Sequence, residues 1–318
     1  MSSTLSQLLV VTALLTLCSP GYSQRGSIEP TGALVKLNLI VVDSNDHAVD
    51  AVKKDDIRVV ENKQEQSVLG VEPDQRPTDI VIEIDASGSF KDLLPYATAA
   101  AKMIIDNRRP TDEVALIRFI SSDKIDTVHD FSTNNETLVK SLSLFRPEGG
   151  QSAVVDALFL AAGHLKKYKA EEDRRKVLVV ITDGEDRNSY YKKEDLLKRL
   201  RETGVQVFAL AITTKLDNES GFIRSSPRER AEKFLKSVVN ETGGRLLFSK
   251  KPKELGEATE EVLRNLNHSF LITYRSSDTS GKKGFRKVDV TLISDSKQKP
   301  IVAQGYFTPD KDLSNKNQ

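Results

Sequence analysis

Tryptophan is absent from this 318-residue chain, and cysteine occurs once, at Cys18. Beyond that position no disulfide, thiolate metal centre or cysteine nucleophile can form, so stability has to come from core packing. Histidine is scarce as well. His47, His129, His164 and His268 fall in different parts of the chain. No Ser-His-Asp spacing, nucleophile elbow, phosphate-binding loop or dinucleotide fingerprint accompanies them. Net charge is nearly absent: a formal +1 with both signs interleaved gives no electrostatic case for nucleic acid. Nor is there an uninterrupted apolar run of the roughly 18 residues that a membrane helix needs. The composition that remains, 38% hydrophobic and 29% charged, is that of an ordinary soluble globular chain. The mixed-charge stretch 166–176 reads as a solvated helix end and loop, not as a binding patch.

The first segment has the form of an export signal. Residues 8–17 are almost continuously apolar, the length of a signal-peptide hydrophobic region and too short for a bilayer. Small residues in Gly21-Tyr22-Ser23 place cleavage before Gln24. Residues 1–23 are therefore expected to be removed. The mature chain, with no membrane span, is expected to be secreted or held in the periplasm or cell envelope. No Lys or Arg precedes the apolar run, so the α-amino group is the only positive charge ahead of it. Leu17 is too bulky for the position before a lipidated cysteine, and Cys18 is not expected to carry an anchor.

Three blocks follow. Residues 24–77 form an N-terminal β segment, with strands at 34–42, 57–61 and 68–72 and a hairpin turn at Asp43-Ser44-Asn45-Asp46. Residues 78–267 alternate between two patterns. Apolar strand runs at 80–84, 114–119, 177–181 and 205–212 are separated by helical spacing over 93–105, 152–168, 194–202 and 228–239. A helix over 254–266 closes this block, and 125–131 reads as an edge strand. Residues 268–309 return to strands at 270–274, 285–293 and 301–307, and 310–318 is a polar tail expected to be disordered. Neither flanking block has enough strands for a stable sheet of its own. The expected fold class is α/β. A mostly parallel central sheet flanked by helices is inserted in a small β-sandwich, built by pairing the N- and C-terminal strand segments.

Oxygen-bearing side chains gather at the ends of three of these elements. Asp85-Ala86-Ser87-Gly88-Ser89 follows the strand at 80–84, and Thr182-Asp183-Gly184-Glu185-Asp186 follows the one at 177–181. Gly149-Gly150-Gln151-Ser152 opens the helix that contains Asp156. In an open parallel sheet the loops beyond the carboxyl ends of the strands converge on a common rim. Asp85, Ser87, Ser89, Ser152 and Asp183 would meet there as two carboxylates and three hydroxyls, without a His or Cys. That donor set suits a hard cation, Mg²⁺ first, with Mn²⁺ or Ca²⁺ as alternatives. Alone, Asp-x-Ser-x-Ser is more often a turn or a helix cap; the order and placement of all three segments point to a metal. Asp156 reads as a supporting residue on the first turn of its helix, and Glu185 and Asp186 as exposed loop charges. The long polar stretch 213–227 reads either as a border of the binding face, with Arg224 available to an acidic partner, or equally well as an ordinary disordered excursion.

These residues resemble the metal-ion-dependent adhesion site of von Willebrand factor A domains. Asp85-Ala86-Ser87-Gly88-Ser89 matches the family's Asp-x-Ser-x-Ser at every defined position. Asp183-Gly184 follows its strand as the family's distal aspartate does, and Ser152 stands where the family usually has Thr. The flanks, residues 49–61, 285–290 and Gly305-Tyr306-Phe307, are similar to a narrower group of exported bacterial proteins first noted in Acidobacteria. The resemblance implies a Rossmann-like A domain in which Ser87, Ser89 and Ser152 hold the ion directly, while Asp85 and Asp183 act largely through water. An under-neutralised cation then takes an Asp or Glu from a partner protein as its last ligand. The implied function is adhesion, not catalysis. Two other readings stay open: a metal-free structural scaffold of the envelope, and a metal-assisted hydrolase with Glu185 as its one candidate general base.

Overall fold

The computed structural model describes residues 32–170, 172–216, 225–249, 251–293 and 297–308; the segment 1–23 read as an export signal, Cys18, Arg224 and residues 310–318 lie outside them. The first block supplies β1 (Leu34–Val42), β2 (Ile57–Glu61), β3 (Gln64–Gln66) and β4 (Val68–Pro73). Between β1 and β2, the Asp43 carboxylate accepts the Asn45 and His47 N–H groups and so builds the expected turn.

The middle block runs β5 (Thr78–Asp85), α1 (Leu94–Asn107), β6 (Glu113–Ser121), β7 (Lys124–Ser132), α2 (Asn135–Leu142) and α3 (Val154–Lys167). It continues with β8 (Arg175–Thr182), α4 (Lys193–Thr203), β9 (Gln206–Ala211), α5 (Pro227–Thr242), β10 (Leu246–Phe248) and α6 (Leu255–Asn267). Its strands form one sheet in the order β10-β9-β8-β5-β6-β7, parallel except for the edge strand β7. Alternation along β5 explains why every residue of that strand is buried. Ile80, Ile82 and Ile84 face α1 and α6 through Ala97, Ala101, Ile104 and Val262. Val81 faces the opposite layer, where Leu158 of α3, Leu196 of α4 and Leu235 of α5 pack. β5 is laid down first, and its neighbours β6 and β8 are added on opposite sides. The connections above it therefore diverge and open a crevice at the carboxyl ends of β5 and β8.

After α6 the chain supplies β11 (Phe270–Arg275), β12 (Phe285–Leu292), β13 (Lys299–Ile301) and β14 (Gly305–Phe307). Two antiparallel four-stranded sheets result, β13-β1-β11-β4 and β14-β12-β2-β3, and each mixes strands from before and after the parallel sheet. Val35, Leu37 and Ile272 of one sheet pack on Val59 and Val288 of the other. Glu61 stitches the pair: its buried carboxylate accepts the Tyr274 hydroxyl at 2.9 Å and the Tyr306 hydroxyl at 3.0 Å. The far half of β1 is buried on both faces, because Ile40 and Val42 join the core under α1 and α6. The sandwich and the α/β layer are thus fused, not hinged. One expected strand, 301–307, is two. β13 pairs with β1 and β14 with β12, the chain crossing between the sheets at Val302–Gln304. Gly305 permits this crossing, since a Cβ there would lie 2.0 Å from the Arg286 carbonyl oxygen.

Candidate functional site

Three loops meet above the crevice, and one carboxylate ties them together. Asp85, fully buried at the end of β5, accepts the Ser87 N–H on Oδ1 at 3.0 Å. Its Oδ2 accepts the Thr182 hydroxyl at 2.8 Å, from the last residue of β8, and the Ser152 hydroxyl at 3.3 Å, from just before α3. The Ser87 and Ser89 hydroxyls lie 3.3 Å apart. Asp183, also buried, accepts the Glu185 N–H at 3.0 Å and lies close enough to Asp85 and Ser89 for both to shift its carboxyl. The five expected residues therefore converge. Ser87 and Ser152 sit at the bottom and Ser89 is exposed, so the cluster opens to solvent on the Ser89 side.

Electrostatics at this rim are unbalanced. Burial pushes Asp85 above the usual carboxylate range, against hydrogen bonds from Ser87, Thr182 and Ser152. Burial and then the Asp85 charge push Asp183 up to about 7. Among the described residues neither carboxylate forms an ion pair with a Lys or Arg. Nor, among them, does any group of three His, Cys, Asp or Glu side chains surround a common point. A cation here would thus be held by hydroxyls as much as by carboxylates, and oxygen-only donors fit a hard divalent ion.

Beneath Asp85 lies a residue that the sequence reading passed over as part of an apolar strand. Glu83 is fully buried, and neither carboxyl oxygen has a hydrogen-bond partner among the described residues. Burial, followed by the Asp85 charge, holds its carboxyl well above the normal range. Period-two alternation, which puts residues 81, 83 and 85 on one face, is the signal that would have found it. Thr182 was missed for a different reason: a hydroxyl closing a strand looks like any other until its acceptor is known.

The surrounding loop is fastened by acids on α3 and beside it. Asp156 supports the site indirectly. Its carboxylate accepts the Ser122 hydroxyl and the backbone N–H groups of Tyr190 and Tyr191, both at 2.8 Å, pinning the loop that follows Asp183. Asp156→Ala should cost about 1–3 kcal/mol by stranding these donors. It should also lower amide-exchange protection at Tyr190 and Tyr191 before any other backbone site. The reading of Glu185 and Asp186 as exposed loop charges needs correction in part. Asp186 is exposed but accepts the Val155 N–H at 3.2 Å, capping α3, whose first donors need acceptors. Glu185 is half-buried and paired with Arg187 at 2.6 Å. Of the 213–227 stretch, the described start is anchored near the rim: Lys215 pairs with Asp92, three residues beyond Ser89, at 2.8 Å. The histidines lie elsewhere, His47 with Glu261, His164 with Asp130 and His268 with Asp50. No helix among the described residues is long and apolar enough to cross a membrane.

The family model for the von Willebrand factor type A domain matches residues 79–243, from β5 through α5 and Gly243, with the rim included. No curated protein matches the chain. Among solved structures it is similar to the conserved hypothetical protein BatB from Bacteroides thetaiotaomicron, at 19% identity and TM-score 0.46 over 59% of this chain and 98% of that one. A von Willebrand factor type A structure from Catenulispora acidiphila is similar at 14% identity and TM-score 0.48, over 91% and 76%. The pilus adhesin SpaC from Lactobacillus rhamnosus GG, in an open conformation, is similar at 11% and 0.48, over 80% and 48%.

Proposed function

Because the chain belongs to the von Willebrand factor type A domain family, we propose that it is a metal-dependent protein-binding module exported to the cell envelope or beyond. The observation that carries this reading is the rim itself. Two buried carboxylates, Asp85 and Asp183, form no ion pair with a Lys or Arg among the described residues and stand beside three hydroxyls gathered from two separate loops. Buried charge left uncompensated is costly, and a fold retains it where a ligand restores the balance. Ser87, Ser89 and Ser152 would hold Mg²⁺ (or Mn²⁺ or Ca²⁺) directly, with Asp85 and Asp183 behind them. When bound, the ion supplies positive charge that neutral hydroxyls leave unquenched, and an Asp or Glu of a partner protein completes the balance. Exposure of Ser89 gives that side chain its approach.

The two other readings are weaker on specific grounds. A metal-free scaffold gains nothing from unpaired acids in its core. A hydrolase needs a free base, and Glu185 is engaged by Arg187. Residues 1–23 supply the export signal in this proposal, and the resemblance of the flanking segments to the narrower exported bacterial group supports it. Thermal unfolding tests the metal. Mg²⁺ at about 100-fold above Kd stabilises by about 2.7 kcal/mol, a Tm rise of roughly 5 °C in a chain of this size, and Asp85→Ala should not respond. The adhesion step is tested by pull-down from an envelope extract in Mg²⁺ and in EDTA. Equal Tm and equal capture under both conditions would falsify the proposal.

A further inference from the structure

On the side of the sheet that carries α3 and α4, well away from the metal rim, lies a groove of about 380 Å³ bounded by the β6–β7 edge and the two helices. A smaller cleft of about 210 Å³ adjoins it, and the two share Phe159 and Arg199. Along α3 the groove's Gly163 lies about 14 Å beyond Val154 at 1.5 Å per residue, so this is not the site described above. Its walls are apolar: Ile117, Ile125, Phe159 and Leu160. Its charges have one sign, since Arg199, Lys166 and Lys167 line it together with His164, and no acid does.

Arg199 is the unusual member. Its guanidinium lies over the Phe159 ring, 4.5 Å from the centroid, and its Nε is buried without a hydrogen-bond partner. Among the described residues it has no ion pair. Asp195 and Glu202 lie four and three positions away on the same helix and line the smaller cleft, but Asp195 accepts the Lys192 N–H instead. Among the described residues Lys166 and Lys167 form no ion pair either; of the acids on β7, Asp130 binds His164 at 2.9 Å and Asp126 binds Arg118 at 2.8 Å. Gly163 keeps the guanidinium uncovered: a Cβ there would already sit 3.8 Å from Arg199 Nη2. Phe159 is braced from its other contact by Tyr191, stacked at 3.8 Å. A partly desolvated cation with unused donors, set in an apolar wall, lacks an anion.

We propose that this groove binds a small organic anion, its carboxylate or sulfonate head on Arg199 and its aromatic or aliphatic body along Ile117, Ile125 and Phe159. The volume falls within the roughly 300–1,000 Å³ of small-molecule sites. The test is a fluorescence titration of the full chain with anilinonaphthalene sulfonate, an aromatic anion, alongside N-phenyl-naphthylamine, its uncharged analogue. Saturable binding at one site is expected, about tenfold tighter for the anion. Arg199→Gln and Gly163→Leu should each weaken it by about tenfold, a difference of about 1.4 kcal/mol, with unchanged circular dichroism. Gly163→Leu fills the groove while leaving the cation in place, so it decides the matter should Arg199→Gln fail to fold. Absence of saturable binding, equal affinity for the neutral probe, or wild-type affinity in the folded variants would overturn the assignment.

Discussion

Replacing Asp183 with asparagine should stabilise the metal-free protein while abolishing its response to Mg²⁺. In the folded chain burial, and then the Asp85 charge, raise the Asp183 carboxyl from its ordinary 3.8 to about 7. Folding therefore favours the protonated form. The stability tied to that proton is complete below pH 3.8 and is lost as pH rises through 7. At pH 8 the wild type carries an ionised, uncompensated buried acid that the variant lacks, and the variant should be more stable by about 1–3 kcal/mol. Metal inverts the comparison. In the proposed metal site the bound form would need the carboxylate, so Mg²⁺ affinity in the wild type should strengthen from pH 6 to pH 8 by at most about tenfold per unit, the release of one proton. Calorimetric unfolding at pH 6, 7 and 8, with Mg²⁺ and with EDTA, checks every part. A metal-free variant less stable than the wild type at pH 8 would show that Asp183 has a structural role the rim geometry does not account for. Such exchange of stability for function is common at binding sites.

How much of this was readable from the sequence depends on the range of the interaction that decides each feature. Parallel strands covered on both faces must be apolar throughout, so β5, β6, β8 and β9 stood out within a residue or two. The convergence of Asp85, Ser152 and Asp183 followed from topology, because loops at the carboxyl ends of adjacent strands have nowhere else to meet. Short elements were illegible. α2 has only Leu138 and Leu142 to bury, too little periodicity to separate from loop, and it stands because the Asn134 side chain caps it at 3.1 Å. β3 and β10 have three residues each and exist only because a neighbouring strand offers an edge. Site details set by distant partners were equally hidden. Nothing in the chain near Asp156 announces that its acceptors will be used by Ser122, Tyr190 and Tyr191.

The largest loss of stability is expected at the opposite end of the sheet, from Arg175→Ala. Arg175 opens β8 and is essentially inaccessible to solvent. Burial presses its pKa down to about 10, with the Asp74 charge opposing. The side chain stays charged at neutral pH and spends its donors on the joint between the α/β layer and the sandwich. Nε and Nη2 reach Gln206 Oε1 at 3.1 and 2.6 Å, while Nη1 reaches the Leu266 carbonyl at 3.0 Å and the Ser269 hydroxyl at 2.7 Å. Gln206 in turn donates to the Gly243 carbonyl at 2.6 Å. One guanidinium thus links the amino ends of β8 and β9 to the connection between α6 and β11. Truncation to alanine strands three acceptors and leaves a hole, which should cost about 3–5 kcal/mol. The expected fall in Tm is roughly 10 °C. Arg175→Met fills most of the hole but not the acceptors, and should lose about half as much. Urea unfolding of the two variants separates the contributions, and a loss below about 1 kcal/mol for alanine would mean the joint is held by apolar packing alone. The contrast with Asp183→Asn is physical: one end of the sheet is stabilised by a cation whose donors are met within the fold, and the other holds buried acids that form no ion pair with a Lys or Arg among the described residues.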